Sequence, residues 1–304
     1  MLAGLRAPRK RLPCRLLYDA TGAELFEEIT RLDAYYPARI ELALLRAHAA
    51  EIATRVGPGA RVVEPGSGEA LKSRLVLAAL DRPATYVPID ISREQLAKIS
   101  AELRAEFPHL EVRPVAGDYT RPFDLPPMTP GGGRALVFFP GSTIGNFEPG
   151  EARGFLAMLR RLAGPEGMLL LGADATRDPK LLARAYDDEH GVTAAFNKNV
   201  LAHLNRTRGA TFDLDAFDHR AVWNAQASRV EMQLVSRTRQ VVRVDGTLFA
   251  FAAGEPLVTE HCYKHTPEAL RLLLATAGWR SCQVFSSSQV PFRLWLCEAT
   301  SAVR

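Results

Sequence analysis

Between residues 60 and 175 the chain alternates short apolar runs with amphipathic stretches, and this rhythm limits the fold more than any other feature. Strand candidates fall at 60–64, 85–90, 110–115, 134–139 and 167–173, and helix candidates at 69–80, 92–105 and 149–163. Such alternation predicts an α/β fold, a parallel sheet with helices on both faces. Ligands of these sheets bind outside the carboxyl ends of the strands. There the sequence places Glu64-Pro65-Gly66-Ser67-Gly68-Glu69 after the first strand, Asp90 at the tip of the second and Asp118 after the third.

Each of these groups has a chemical reading. Glycines let a backbone approach a ligand closely, because no Cβ intervenes. A strand, a glycine-rich turn and a helix in succession form a nucleotide-binding element. The spacing is E-x-G-x-G, without the third glycine of the dinucleotide fingerprint, and it also suits a plain tight turn. Asp90 can accept from two ribose hydroxyls; it can equally cap the next helix, a position for which Ser92 competes. Asp118 can accept from an adenine amino group with Tyr119 against the ring, or cap its own loop.

The chain has 304 residues, 47% hydrophobic and 24% charged, enough to bury a large core in one or two domains. Its net charge is +4, with arginines scattered rather than blocked; the densest run, Arg6 to Arg15, could touch nucleic acid or an anionic surface but reads better as a solvated tail. Cys14, Cys262, Cys282 and Cys297 stand far apart with no C-x-x-C pair, so neither a metal site nor a disulfide framework is expected. No apolar stretch reaches the ~18–20 residues of a membrane span, and residues 1–17 lack a signal-peptide core. A cytoplasmic protein without membrane or nucleic-acid partners is expected.

Outside the alternating region the pattern differs. Residues 15–50 read as helices, with Leu16, Leu17, Leu25, Phe26 and Ile29 at helical spacing. After Asp174 a helical stretch is predicted from Lys180 to about Arg206. Strand-like segments follow at Ala221–Val235, Arg239–Val244 and Leu248–Phe251. A helix from Thr266 to Ala277 and strands at Trp279–Phe285 and Phe292–Cys297 then resume the first rhythm. A terminal antiparallel hairpin suits a methyltransferase-type sheet better than a dehydrogenase.

The ordered blocks Leu17-Tyr18-Asp19, Gly22, Leu25-Phe26-Glu27-Glu28-Ile29-Thr30 and Tyr35-Tyr36-Pro37 precede the glycine turn and Lys72. Gly117-Asp118-Tyr119, Phe138-Phe139-Pro140-Gly141-Ser142-Thr143-Ile144-Gly145-Asn146-Phe147, Ala185-Tyr186-Asp187-Asp188 and Phe196-Asn197-Lys198-Asn199 follow it. Together they resemble the histidine-specific Nα-methyltransferases of ergothioneine biosynthesis over nearly the whole chain, most specifically at Gly-Ser-Thr-Ile-Gly-Asn. The resemblance implies a Rossmann-type class I core that uses S-adenosyl-L-methionine. It implies a SAM-binding methyltransferase domain at 41–174 and 265–304. A substrate-binding domain would be built from the N-terminal helices, 1–40, and an α+β insertion, 175–264.

What the resemblance implies for single residues follows the same order. Gly66 would lie beside the cofactor, Lys72 would pair with its carboxylate, Asp90 would hold the ribose, and Asp118 with Tyr119 the adenine. Asn146 and Tyr186 would grip the substrate carboxylate, and Gly141 would let the backbone approach it. Tyr18 and Tyr35 would flank the amine, with Phe26 in the same wall. Tyr18 and Asn146 would stand nearest the catalytic chemistry. Glu260 would accept an imidazole N–H, and Met232 would wall the ring. The sequence departs from the family at Glu260-His261-Cys262, where the pattern is Glu-x-Ser. A thiol is a weaker hydrogen-bonding group than a hydroxyl.

The implied reaction is methylation of the α-amine of L-histidine, three transfers giving the trimethyl betaine, hercynine. Ordinary roles compete at every position: a turn for Asn146, core packing for the aromatics and Met232, an exposed helix lysine for Lys72, a surface charge for Glu260. Two other functions compete as well, Nα-methylation of another aromatic amino acid such as a tryptophan derivative, and a catalytically silent SAM-binding module. Base-amine methyltransferases carry Asn/Asp-Pro-Pro-aromatic after the fourth strand, where this chain has Pro140-Gly141-Ser142-Thr143. A monomer without a metal is expected.

Overall fold

A computed structural model describes residues 1–121, 123, 125, 126 and 132–300. The strands in chain order are β1 (Arg61–Pro65), β2 (Thr85–Asp90), β3 (Glu111–Val112), β4 (Val115–Ala116), β5 (Ala135–Phe139) and β6 (Met168–Asp174). They continue with β7 (Phe217–Asn224), β8 (Arg229–Ser236), β9 (Gln240–Val244), β10 (Thr247–Phe251), β11 (Pro256–Tyr263), β12 (Trp279–Ser286) and β13 (Phe292–Ala299). The chain divides into two compact units. The larger comprises Ile40–Ala175 and His265–Arg304, whose last four residues lie outside those described; the smaller comprises Met1–Arg39 and Thr176–Lys264.

The larger unit is built on a sheet of order β12-β13-β6-β5-β1-β2-β3, with β4 also paired to β2. Neighbours from β6 to β3 run parallel, whereas β13 is antiparallel to both β6 and β12. Chain order reverses between β1 and β5, so the crevice for a ligand opens at the carboxyl end of β1. The central strands β1, β5 and β6 are buried along their whole length, as expected of a sheet covered on both faces. The helix Pro149–Ala163 supplies a stripe of Ala152, Phe155, Leu156, Leu159 and Ala163 to this core. Pro149 and a Glu148–Glu151 capping box start it, and Gly164, at φ +77°, ends it. The predicted strand 110–115 is in fact two short pieces, β3 and β4, interrupted around Pro114, where the ladder lacks a donor.

The smaller unit contains an antiparallel sheet β11-β8-β7 and a separate hairpin of β9 with β10. It differs from expectation at three places. The stretch 180–206 is two helices, Pro179–Tyr186 and Val192–Arg208. The break follows from Asp188, whose carboxylate accepts the N–H groups of His190 (3.1 Å), Val192 (3.2 Å) and Thr193 (2.7 Å), and from Gly191 at φ +74°. The segment 221–235 is a hairpin, β7 and β8, turned through Ser228 at φ +52°. Strand β11, which carries Glu260, escapes the sequence pattern because its buried run includes Thr259 and Glu260 rather than alternating apolar with polar.

Several motif residues hold this unit together. Asp19 caps the helix Ala20–Arg31 by accepting from Gly22 N (2.9 Å), and it also accepts from Asn199 Nδ2 (2.6 Å) and Arg206. A Cβ on Gly22 would stand 1.8 Å from the Leu17 carbonyl oxygen, so only glycine fits. Asn197 Nδ2 donates to Gln233 O (3.1 Å) and faces His219 Nδ1 (2.9 Å).

Burial raises the Asp188 pKa, but the hydrogen bonds from Thr193, Val192 and His190 outweigh it and leave the group below its ordinary value. The depressed carboxylate therefore stabilises the fold above the usual aspartate range, and this contribution is lost as pH falls through the lower folded value. Asp188→Ala should cost about 0.5–2 kcal/mol at neutral pH. Thermal unfolding should show the deficit shrinking in acid.

Candidate active site

The glycine turn of the larger unit is shaped for close approach. Gly66 has φ +76° and Gly68 φ +49°, and the open side of Gly68 has no atom within 4 Å of a built Cβ. A Cβ on Gly66 would meet Tyr119 Cε1 at 3.2 Å. Ser67 Oγ is buried in this turn without a hydrogen-bond partner among the described residues, a polar atom that a bound ligand can satisfy. The Glu64 carboxylate, by contrast, is already used: Ser73 Oγ and Tyr86 OH both donate to it in the core. Desolvation pushes its pKa up to about 7 against those hydrogen bonds. Glu64 thus braces β1 through its Oε2.

Asp90 ends β2 half-buried, its Oδ1 accepting from Ser92 N at 3.1 Å. Ser92 takes the cap of the next helix, accepting from Gln95 N at 3.3 Å, which leaves Asp90 out of that role. Burial raises the Asp90 pKa, partly offset by hydrogen bonds from the Ser92, Gly68 and Ile91 backbone. Asp118 does act as a loop cap: Oδ1 accepts from Thr120 N (3.0 Å) and Thr120 Oγ1 (2.5 Å). Tyr119 lies 6.3 Å from Phe139 and 5.9 Å from Phe155, centroid to centroid.

Lys72 is not an ordinary surface lysine. Its ammonium binds Glu41, a fully buried carboxylate that also accepts from Gly141 N at 2.8 and 3.0 Å. A Cβ on Gly172 would sit 1.8 Å from Glu41 Oε1, so a side chain there would displace the carboxylate from its present position. No local pattern marks Glu41, because its partners are distant in the chain. Gly141 thus owes its place to this carboxylate as well as to its φ of +82°. Asn146 ends the short 3-10 turn Thr143–Asn146, partly buried.

In the smaller unit the aromatics assemble as one cluster. Tyr18 meets Phe26 at 5.5 Å and Phe196 at 5.4 Å, Phe26 meets Tyr35 at 6.1 Å, and Tyr35 meets Tyr186 at 6.1 Å, all edge-on. Tyr18 OH lies 3.5 Å from Glu260 Oε1. Glu260 faces Met232 across the β11–β8 ladder, after a bulge at Thr259; bulges re-aim side chains near functional sites. Burial pushes the Glu260 carboxyl up to about 7, against the Tyr18 hydrogen bond and the Lys264 charge. Cys262 Sγ lies 3.0 Å from Tyr186 OH, and Lys264 Nζ donates to that same oxygen at 2.8 Å. Burial raises the phenol pKa values of Tyr35 and Tyr186, so both stay protonated as donors. His219 Nε2 lies 2.9 Å from Tyr186 O and fixes that backbone. Sequence reasoning missed Lys264 and His219, neither of which stands in a recognisable motif.

A sheet reversing at β1, closed by an antiparallel terminal hairpin and carrying a glycine turn and an acid at the β2 tip, defines a Rossmann-type class I SAM-dependent methyltransferase. The profile of the SAM-dependent, histidine-specific methyltransferases matches residues 1–299, and the chain belongs to that family. A histidine N-alpha-methyltransferase of Mycolicibacterium smegmatis is 44% identical over 91% of this chain and 87% of its own length. The protein of that name from Mycobacterium tuberculosis is 42% identical over 91% of this chain and 86% of its own. Among solved structures, a 1,6-didemethyltoxoflavin-N1-methyltransferase of Burkholderia thailandensis aligns over 97% of this chain and 93% of its own, with TM-score 0.46 and 13% identity. The cofactor is S-adenosylmethionine, and the open glycine turn with its unpartnered Ser67 hydroxyl fits it.

Two outcomes test this account of the larger unit. Lys72→Met strands the buried Glu41 carboxylate and should cost about 3–5 kcal/mol in urea unfolding. Glu41→Gln should cost less, because the freed Lys72 ammonium reaches water. Glu64, raised from the ordinary carboxylate range to about 7, favours the fold fully below its unfolded pKa, and that contribution is lost as pH rises through 7. Glu64→Gln should therefore flatten the fall in stability between about pH 5 and pH 8.

Proposed function

We infer that this protein transfers methyl groups from S-adenosylmethionine to the α-amine of L-histidine, and that three transfers yield the trimethyl betaine of ergothioneine biosynthesis. The observation that carries the histidine reading is Glu260: a buried carboxylate beside an aromatic cluster, paired in register with Met232. Such an acceptor selects a side chain bearing an N–H, because a rival without one leaves the carboxylate unpaired. Family membership favours the same substrate over a tryptophan derivative or a silent binding module.

The sulfonium of the cofactor supplies the methyl group, so the work of the chain is placement and water exclusion. Gly66, Lys72, Asp90, Asp118 and Tyr119 are proposed to hold the cofactor. At Lys72 its carboxylate would share an ammonium that has three N–H groups and already serves Glu41. Asp118 is also paired with Arg121, whose Nε lies 3.5 Å from Oδ2. The amine must shed a proton before each transfer. Tyr35 and Tyr186, held protonated by burial, serve as donors rather than bases. Tyr18, next to Glu260, is proposed to flank the amine, and Tyr18, Phe26 and Tyr35 present aromatic surface that accommodates a growing alkylammonium. Asn146, Gly141 and Tyr186 are proposed to serve the substrate carboxylate, and Cys262 to stand beside Tyr186. The smaller unit is proposed as the substrate-binding domain. A cytoplasmic location is proposed, in accord with four free cysteines. No helix among the described residues is long and apolar enough to cross a membrane.

Mass spectrometry of the protein incubated with S-adenosylmethionine and each proteinogenic amino acid tests the reaction. Histidine should give a product three methylene units heavier, and product from tryptophan alone would overturn the substrate. Glu260→Gln should lower kcat/KM for histidine by roughly 10- to 100-fold, the loss of a charge-assisted hydrogen bond, while thermal unfolding stays cooperative.

A further inference from the structure

Glu260, Cys262 and Lys264 alternate with His261 and Tyr263 at the end of β11, so all three project from one side of the strand. All are buried. The Lys264 N–H continues the ladder by donating to Ser228 O at 2.8 Å, so the row keeps its register past the end of the strand. Lys264 is fully buried, a state that lysine almost never adopts unpaired. Its Nζ donates to the Tyr186 phenol oxygen at 2.8 Å and lies 4.9 Å from the ring centroid.

We propose that Lys264 is a positioning residue that orients the zwitterionic substrate, acting through Tyr186. The proposal rests on the reading that the smaller unit binds an amino acid. A phenol has one O–H and two acceptor positions, and an ammonium can only donate. Lys264 therefore occupies an acceptor position of Tyr186, and what the phenol offers a ligand is its proton. Donation from a cation also polarises that O–H and strengthens it as a donor. The buried positive charge attracts a carboxylate and repels an α-ammonium. Both effects direct the carboxylate of the substrate to Tyr186. Glu260, on the same strand face, has the opposite preference and takes a donor. The face is thus polarised in the same sense as histidine, whose carboxylate accepts and whose ring N–H donates. Cys262 stands between them, and its thiol competes weakly in either role.

The test is calorimetric titration of the full chain, loaded with S-adenosylhomocysteine, with histidine and with histamine. Histamine keeps the imidazole and the amine and lacks the carboxylate. Lys264→Met should weaken histidine binding roughly 10- to 100-fold and histamine binding by less than about threefold, so that the preference between them collapses. Lys264→Gln, which restores an N–H donor without charge, should recover part of the histidine affinity. Tyr186→Phe should lose the same preference, and the double variant should be no weaker than Tyr186→Phe alone. Equal losses for both ligands, additive losses in the double variant, or a histidine loss below about threefold would each overturn the proposal. If Lys264→Met loses its circular-dichroism melt, Lys264→Gln and Tyr186→Phe decide by the same ratio, and an unchanged ratio in both rejects it. Wild-type protein that binds neither ligand refutes the amino-acid reading itself, whatever the variants do.

Discussion

A carboxylate with no access to water must be answered by donors, and in the larger unit Glu41 imposes that requirement on several segments at once. It draws in the Lys72 ammonium from the helix after the glycine turn and the Gly141 N–H from the loop after β5, and it packs against Gly172 on β6, where a Cβ would displace it. The Gly-Ser-Thr-Ile-Gly-Asn run begins at that contact. Its conformation, with Gly141 and Ser142 both at positive φ, is set by a buried charge as much as by local turn chemistry. Ser142 adds a second tie, its Oγ accepting from Asp174 N at 3.0 Å.

The smaller unit solves a related problem differently. Its polar core is a row on β11, and each member has its own answer: Tyr18 for Glu260, Tyr186 for Cys262 and Lys264. Phenols suit this use because they are apolar on the faces and donate or accept at the rim. Edge-on contacts among Tyr18, Phe26, Tyr35 and Tyr186 keep those rims in place. Cys262 puts a thiol against the Tyr186 hydroxyl, between Glu260 and Lys264 in the row.

Chemistry and stability are linked in both units. Glu64 and Glu260 are each pushed up to about 7 by burial. Glu64 accepts from Ser73 and Tyr86 through Oε2 and so serves the fold. Glu260 accepts from Tyr18 at 3.5 Å, at the edge of the aromatic cluster.

The sequence by itself determined the α/β core, the glycine turn, the acid at the β2 tip and the family, because periodicity and ordered motifs are local properties of a chain. It also contained the break at Asp187-Asp188-Glu189-His190-Gly191, a legible capping and glycine signal that the long helical stretch obscured. Only the tertiary structure decided which partners the buried charged side chains take. Lys72 on Glu41 and Lys264 on Tyr186 join residues far apart in the chain. Strand β11 was hidden for a related reason: its buried polar residues become tolerable only once tyrosines from other segments meet them. Burial and pairing are long-range quantities, and no spacing rule in one dimension carries them.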